Sequence, residues 1–232
     1  DTPEVYKNEI ENLKNLWKNY NIHLIDDEFI NEYYSNDINF RKIYNNISLG
    51  AAKADLVRLL LIYQFGGLYL DIMNYPKPNF VNMDELFKKL DFKHTYVGAI
   101  KNGITLQVIL SKPKSKLMLE LYNLCKRNLI KQYTEEIINK NSKPYNLVLL
   151  TGPLLFHDVI VNKPFISWTT YLKCEENTEE NEEYFKKWDC ELINVDEYFW
   201  LWHSGFDNHH GTNMHIHWSE LQSKQNLFIG YG

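Results

Sequence analysis

Apolar residues Val5, Ile10, Leu13, Leu16 and Trp17 recur near helical spacing, and Pro3 suits a helix start, so residues 3–20 are predicted helical. Residues 21–25 (NIHLI) alternate enough for a short strand. Asp26 and Asp27 can then cap a helix running to about Tyr34, with a further short helix around 40–44. Residues 48–64 are apolar nearly all round, the pattern of a buried helix. Gly66-Gly67 ends it, and residues 68–72 read as a core strand entering a turn at 74–78. Beyond it the pattern predicts a helix at 83–90, a strand at 95–100, and more β structure at 104–109. Helices follow at 115–128 and 132–140, and Thr151-Gly152-Pro153 turns the chain into another helix ending near Val161. Residues 175–183 read as an acidic, solvated loop. Strands alternating with helices argue for an α/β domain.

The 232 residues are 44% hydrophobic and 24% charged, ordinary globular usage that excludes disorder, collagen and coiled coil. A net charge of −5 argues against a nucleic-acid partner. Apolar runs stop far short of the ~20 residues needed to span a bilayer, so no membrane segment is expected. These features predict a soluble domain, with the cytoplasm ahead of the Golgi lumen or secretion. Cys125, Cys174 and Cys190 include no CxxC pair, which favours buried thiols over a Cys174–Cys190 bridge. The 15% aromatic content suits a core and also suits flat ligands such as bases and sugar rings.

The densest chemistry lies at 49–71. Asp55 and Arg58, three apart, share one face of an otherwise apolar helix, so burial demands partners for both charges. Two readings stand level: a pair that satisfies itself, or a pair facing a polar ligand, with Arg58 toward an anion and Asp55 accepting from hydroxyls. Asp71 closes an apolar strand, where ligands collect in open α/β sheets and where a carboxylate can hold a hard cation against phosphate. A turn-capping Asp is the plainer alternative. Five histidines crowd the C-terminal stretch: His203, His209, His210, His215 and His217. His215 and His217 would share one side of a strand, a spacing compatible with a zinc-dependent hydrolase, though no cysteine supports zinc.

The run AAKADLVRLLLIYQFGGLYLDI at 51–72 resembles the signature of DXD-containing glycosyltransferases, those of family 32 and of the large clostridial glucosylating toxins. Leu150-Thr151-Gly152-Pro153 resembles the family's Thr-Gly-Pro turn, and Met214-His215-Ile216-His217-Trp218 its C-terminal histidine–tryptophan element. The resemblance implies a GT-A-type, Rossmann-like nucleotide-sugar transferase domain with additional helices, a single domain over 1–232 lacking the family's opening strand. It implies a retaining glycosyltransferase, a hexosyltransferase, moving a sugar from a UDP- or GDP-linked donor to a glycan, glycolipid or protein acceptor. Asp55, Arg58 and Asp71 become the catalytic residues, and Tyr69 and Trp218 join them in donor binding. A divalent cofactor, Mn²⁺ or Mg²⁺, would be held by Asp71 and His217. The family's second DXD aspartate falls at Met73, whose thioether cannot replace a carboxylate for a hard cation. Either Asn74 or a nearby acid then serves as the oxygen ligand, or the metal is weakly held, or activity is lost. The alternative is a catalytically impaired GT-A-fold binding module.

Overall fold

The computed structural model describes residues 4–71, 74–77, 84, 87–88, 94–100, 103–141, 145–161, 179–195, 199–201, 222 and 226–229. Four helices open the chain: α1 (Glu4–Leu16), α2 (Asp27–Tyr33), α3 (Ile38–Asn46) and α4 (Gly50–Phe65). Strands β1 (Gly67–Leu70), β2 (Asn74–Pro76), β3 (Thr95–Ile100) and β4 (Gly103–Ser111) follow, then α5 (Lys116–Tyr133), which runs into a π turn at Thr134–Ile138. Helices α6 (Leu147–Leu150), α7 (Leu154–Val161) and α8 (Glu179–Trp188) lead to β5 (Cys190–Asn194) and β6 (Phe199–Leu201). The mixed α/β class predicted from the sequence is the class observed.

The main sheet has the order β1-β4-β3-β5. Its β1–β4 and β3–β4 pairs are antiparallel, and β3–β5 is parallel. Helix α4 packs between α5 and the β1–β4 side of this sheet. Sandwiched there, it must be apolar on several faces, and Leu56, Leu59, Leu60 and Ile62 are all buried. Each such side chain contributes roughly 1.5–3 kcal/mol on leaving water. The apolar girth that marked this helix in the sequence is therefore the physical consequence of its central place.

Helix α2 starts as expected, with Asp26 capping it by accepting the Phe29 N–H at 2.8 Å. Four expectations change. Residues 21–26 form no strand, because the apolar alternation there finds no strand to pair with among the described residues. The turn expected at 74–78 contains β2, which pairs with β6 over a hundred residues away. The two helices expected at 115–128 and 132–140 are one, because nothing between Asn128 and Gln132 breaks α5; the chain then loosens into the π turn. The acidic stretch is helical from Glu179 onward, with Glu183 exposed. The helix expected at 83–90 lies largely outside the described residues. Cys125 and Cys190 are buried free thiols, so the alternative bridge to Cys190 does not form; Cys174 lies outside the described residues. No helix among the described residues is long and apolar enough to cross a membrane.

The chain returns at 226–229 to the head of α4. The buried Glu136 carboxylate accepts the N–H groups of Leu227 at 3.2 Å and Phe228 at 2.9 Å. Ser48 donates its N–H to the Leu227 carbonyl, and Ile229 donates to that of Asn46. This strap fixes the connection from which α4 begins.

Candidate active site

Gly66 makes the site possible. It ends α4 at φ +66°, and a Cβ there would lie 2.6 Å from the Pro113 nitrogen. The reversal sends β1 back beside its own helix. Along β1 the ladder to β4 continues through the Asp71 N–H, which donates to the Gln107 carbonyl at 2.9 Å. Asp71 is thereby held at the strand's end, on a level with Arg58.

Arg58 is the hub, 6% exposed. It donates through Nη1 to the Leu106 carbonyl at 2.7 Å and through Nε to the Ala54 carbonyl at 3.3 Å. Nη2 lies 3.3 Å from Asp55 Oδ1, and Nη1 lies 3.4 Å from Asp71 Oδ1. The guanidinium also covers the Tyr69 ring, 4.8 Å from its centroid. Tyr69 donates its hydroxyl to Asp71 Oδ1 at 2.6 Å. Thr151 reaches across from the end of α6 and donates to Asp55 Oδ2 at 2.7 Å.

The charges respond accordingly. Burial pushes the Asp55 carboxyl up to about 6, against the pull of Arg58 and the Thr151 hydroxyl, with Asp71 adding to the rise. Burial works against the Arg58 charge, but Tyr69, Asp55 and Asp71 outweigh it and keep the guanidinium firmly protonated. Burial raises the Tyr69 phenol, Arg58 opposes the rise and Asp71 reinforces it, so the hydroxyl stays a donor.

The four residues singled out at 55–71 therefore meet in one cluster. Of the two level readings for Asp55 and Arg58, the contacts display the first. The pair is satisfied internally, and Arg58 spends its donors on protein acceptors rather than on open space. Asp71 keeps 27% of its side chain exposed, the cluster's face toward solvent. Asn74 is turned inward: it is 2% exposed, and its side-chain amide donates to the Gln107 carbonyl at 3.0 Å. That geometry pins the start of β2 and does not present an oxygen ligand. Met73, His217 and Trp218 lie outside the described residues. Among the described residues no group of three His, Cys, Asp or Glu side chains could hold a metal ion, and Asp71 alone offers a partly open carboxylate here. The described donor set does not fit Mn²⁺ or Mg²⁺ by itself.

Sequence reasoning missed two features. Thr151 was visible as a turn, but its partner lies 96 residues earlier. A cleft of about 370 Å³ was also missed; it is bordered by Asp27, Tyr44, Ser48, Gly50, Lys53 and Ala54. Lys53 pairs with Asp27 at 3.0 Å and covers the Tyr44 ring at 4.8 Å. Burial opposes ionisation of Asp27, but the Tyr44 hydroxyl and Lys53 outweigh it and hold the carboxyl below its usual range. Ala54 and Val57 in the cleft wall directly precede Asp55 and Arg58, so cleft and cluster occupy neighbouring rows of one helix.

Residues 3–89 match the family model described as "Glycosyltransferase sugar-binding region containing DXD motif". The matched segment carries α4, β1 and Asp71, and it supports a glycosyltransferase family. Among solved structures the chain is similar to one titled "PaToxG Glycosyltransferase", with a TM-score of 0.33 and 16% identity over 67% of this chain. The likeness covers 54% of that chain, so the present chain spans about half of it. Among curated proteins none matches.

Proposed function

We propose that this chain transfers a sugar from a nucleotide-sugar, UDP- or GDP-linked, to an acceptor hydroxyl with retention at the anomeric carbon. The observation that carries the proposal is the Asp55–Arg58–Tyr69–Asp71 cluster, built inside the segment that matches a sugar-binding family model. The cleft at the head of α4 lies in the size range of small-molecule sites and would take the nucleoside end. A donor lying across α4 from that cleft would bring its sugar to Asp71, the carboxylate of the cluster that faces solvent. Asp71 would accept hydrogen bonds from sugar hydroxyls on its open side, since an ionised carboxylate is an acceptor only, with Asp55 fixed behind it by Arg58 and Thr151. Arg58, its donors committed to Leu106, Ala54 and both carboxylates, positions those acceptors; preorganised charge of this kind is what stabilises a developing transition state. No step is assigned to a metal.

The test is hydrolysis of a panel of UDP- and GDP-sugars, with and without Mn²⁺, by the intact chain and by Asp71→Asn. Hydrolysis of at least one donor, lost in the variant, is the expected result. No turnover and no nucleotide binding by the unmodified chain would end the proposal.

One observation favours a second reading, an impaired sugar-nucleotide binding module: Met73 occupies the second aspartate position of the DXD pattern. Mn²⁺ titration in the presence of UDP, repeated on Met73→Asp, separates the two. Weak binding that the variant tightens, with no turnover in either form, supports the binding module.

A further inference from the structure

Glu136 is a carboxylate buried among hydrogen-bond donors. It sits in the π turn after α5, 5% exposed. It accepts from the Gln132 side-chain amide at 2.6 Å, besides the Leu227 and Phe228 N–H groups of the strap. Taking a carboxylate out of water is costly unless such donors replace the solvent, so the charge and the backbone at 227–228 hold each other in place. Phe228 also lies edge-on to the Tyr133 ring, 5.1 Å between centroids, which ties the strap to the end of α5 a second time.

The other side of the strap is the connection from α3 to α4. Phe228 bridges Ile47 in antiparallel fashion, and Ile229 donates to the Asn46 carbonyl at 2.8 Å. Ser48 donates to the Leu227 carbonyl twice, through its N–H at 2.8 Å and its hydroxyl at 2.9 Å. Leu49 follows and begins α4 with no side-chain cap. A helix start without a capping side chain is weaker by about 1 kcal/mol, so what holds it comes from outside the helix. Ser48, Gly50 and Lys53 from this start line the cleft that Asp26 and Asp27 also border.

We propose that Glu136 is a positioning residue for this cleft: by clamping the strap it holds Ser48 and the first turn of α4 in place, and so sets the affinity for a nucleoside diphosphate. The chain of contacts runs from the Glu136 carboxylate through the 227–228 backbone to Ser48 and then to the cleft wall, with no step through the Asp55–Arg58–Asp71 cluster. Glu136 therefore acts on binding and not on the reacting centre. The ligand rests on the reading that the cleft takes the nucleoside end of a donor; the mechanical link does not. Gln222, nearby in the chain, supplies the control, because its side chain accepts the Leu147 N–H at 2.9 Å and so braces α6 instead of α4.

The experiment combines hydrogen exchange with calorimetry on the intact chain. Glu136→Gln leaves one acceptor oxygen where three donors converge. Exchange should quicken about tenfold at Leu227 and Phe228, and also at Ser48 and Lys53 in the cleft wall, the size expected when a charge-assisted hydrogen bond is replaced by a neutral one. Titration with UDP and with GDP should show the bound nucleotide weakened at least about threefold, because the binding-competent wall is populated less. Donor hydrolysis should show a raised KM with kcat held within about twofold, the mark of lost binding alone. Ile229→Pro, at a side chain more than half exposed, deletes the bond to the Asn46 carbonyl and should repeat the pattern at smaller size, which serves where Glu136→Gln does not fold. Gln222→Ala should leave exchange at Ser48 and Lys53 and nucleotide affinity unchanged. Faster exchange confined to Leu227 and Phe228, unchanged nucleotide affinity in the strap variants, a lowered kcat at constant KM, or equal weakening in Gln222→Ala overturns the proposal. If the intact chain binds neither nucleotide, the transfer reading fails by itself, and exchange at Ser48 and Lys53 decides whether Glu136 positions the cleft.

Discussion

Two carboxylates in this molecule sit beside a cation, and they behave in opposite ways. Asp189 lies 2.7 Å from the Lys112 ammonium at the surface, with both side chains nearly half exposed. Asp55 lies farther from its partner, 3.3 Å from Arg58, but both are almost sealed from water. The Lys112 hydrogen bond draws the Asp189 carboxyl below its usual range, against a small burial penalty and with help from His94. The Asp55 carboxyl instead rises to about 6, because burial outweighs a guanidinium it shares with Asp71 and two backbone carbonyls. The closer contact is the weaker commitment. At the surface, water screens the pair and either partner can leave cheaply. In the interior each charge depends on the others, and that dependence is what fixes geometry at the candidate active site.

The largest expected effect comes from removing the shared cation. Arg58→Ala would strand Asp55 and Asp71 beside each other and leave the Leu106 carbonyl without its donor. Removing one partner of a buried ion pair costs roughly 3–5 kcal/mol. Denaturant unfolding at neutral pH should show a loss of that size, with Arg58→Lys recovering only part of it because an ammonium cannot reproduce the fork. A loss under about 1 kcal/mol would mean that the cluster is solvated and the contrast with Asp189 is false.

The second effect is a pH dependence with a definite sign. Asp55 titrates near 6 in the fold against 3.8 for an unperturbed aspartate, so between these values the folded state holds a proton that the unfolded chain has released. Its contribution to stability is thus fully present below pH 3.8 and is lost as pH rises through 6. About two units correspond to roughly 3 kcal/mol. Relative to Asp55→Asn, the unmodified chain should lose stability across that window and run parallel above it. A difference that grows with pH in the opposite sense would place a stronger cation effect at Asp55 than burial.

What was legible in advance follows the same division. Helix α4, its glycine terminator and the strand behind it are short-range features, encoded by apolar girth and by a residue that tolerates positive φ. Asp55 and Arg58 were legible as partners because three residues of helix put them side by side. The strap at Glu136, the Thr151 hydroxyl and the pairing of β2 with β6 depend on contacts across many tens of residues, and no local pattern carries them. The 21–25 stretch failed for the converse reason: a local alternation existed without a neighbour to use it. Asn74 offers an oxygen on paper, and only its burial reveals that the amide is already employed.

Thr151→Val tests the long-range member of the cluster at an intermediate scale. The substitution keeps the shape and removes the hydroxyl that donates to Asp55 Oδ2. A hydrogen bond to a charged group contributes roughly 1.5–3 kcal/mol, so a loss in that range is expected above pH 6, where the carboxylate is ionised. Below pH 4, with Asp55 protonated, the loss should shrink. Since the missing bond favoured the charged form, the stability midpoint assigned to Asp55 should also move upward. A pH-independent loss would assign Thr151 to packing, through its weaker contact with the Leu147 carbonyl at 3.4 Å, rather than to charge.

The smallest effect should come from Lys112→Ala. Its ammonium makes the shorter of the two contacts compared above, and a distance-based argument would rank it first. Exposure reverses that ranking: a solvated pair contributes roughly 0–1 kcal/mol, and salt at a Debye length of about 10 Å or less weakens it further. Chemical unfolding of Lys112→Ala should differ from the unmodified chain by less than 1 kcal/mol at low salt, and by still less in 0.5 M salt. The Arg58→Ala deficit should persist under the same salt, because ions do not reach a buried cluster. If both variants lost stability equally and responded equally to salt, burial would not be what distinguishes them, and the raised Asp55 would need another cause.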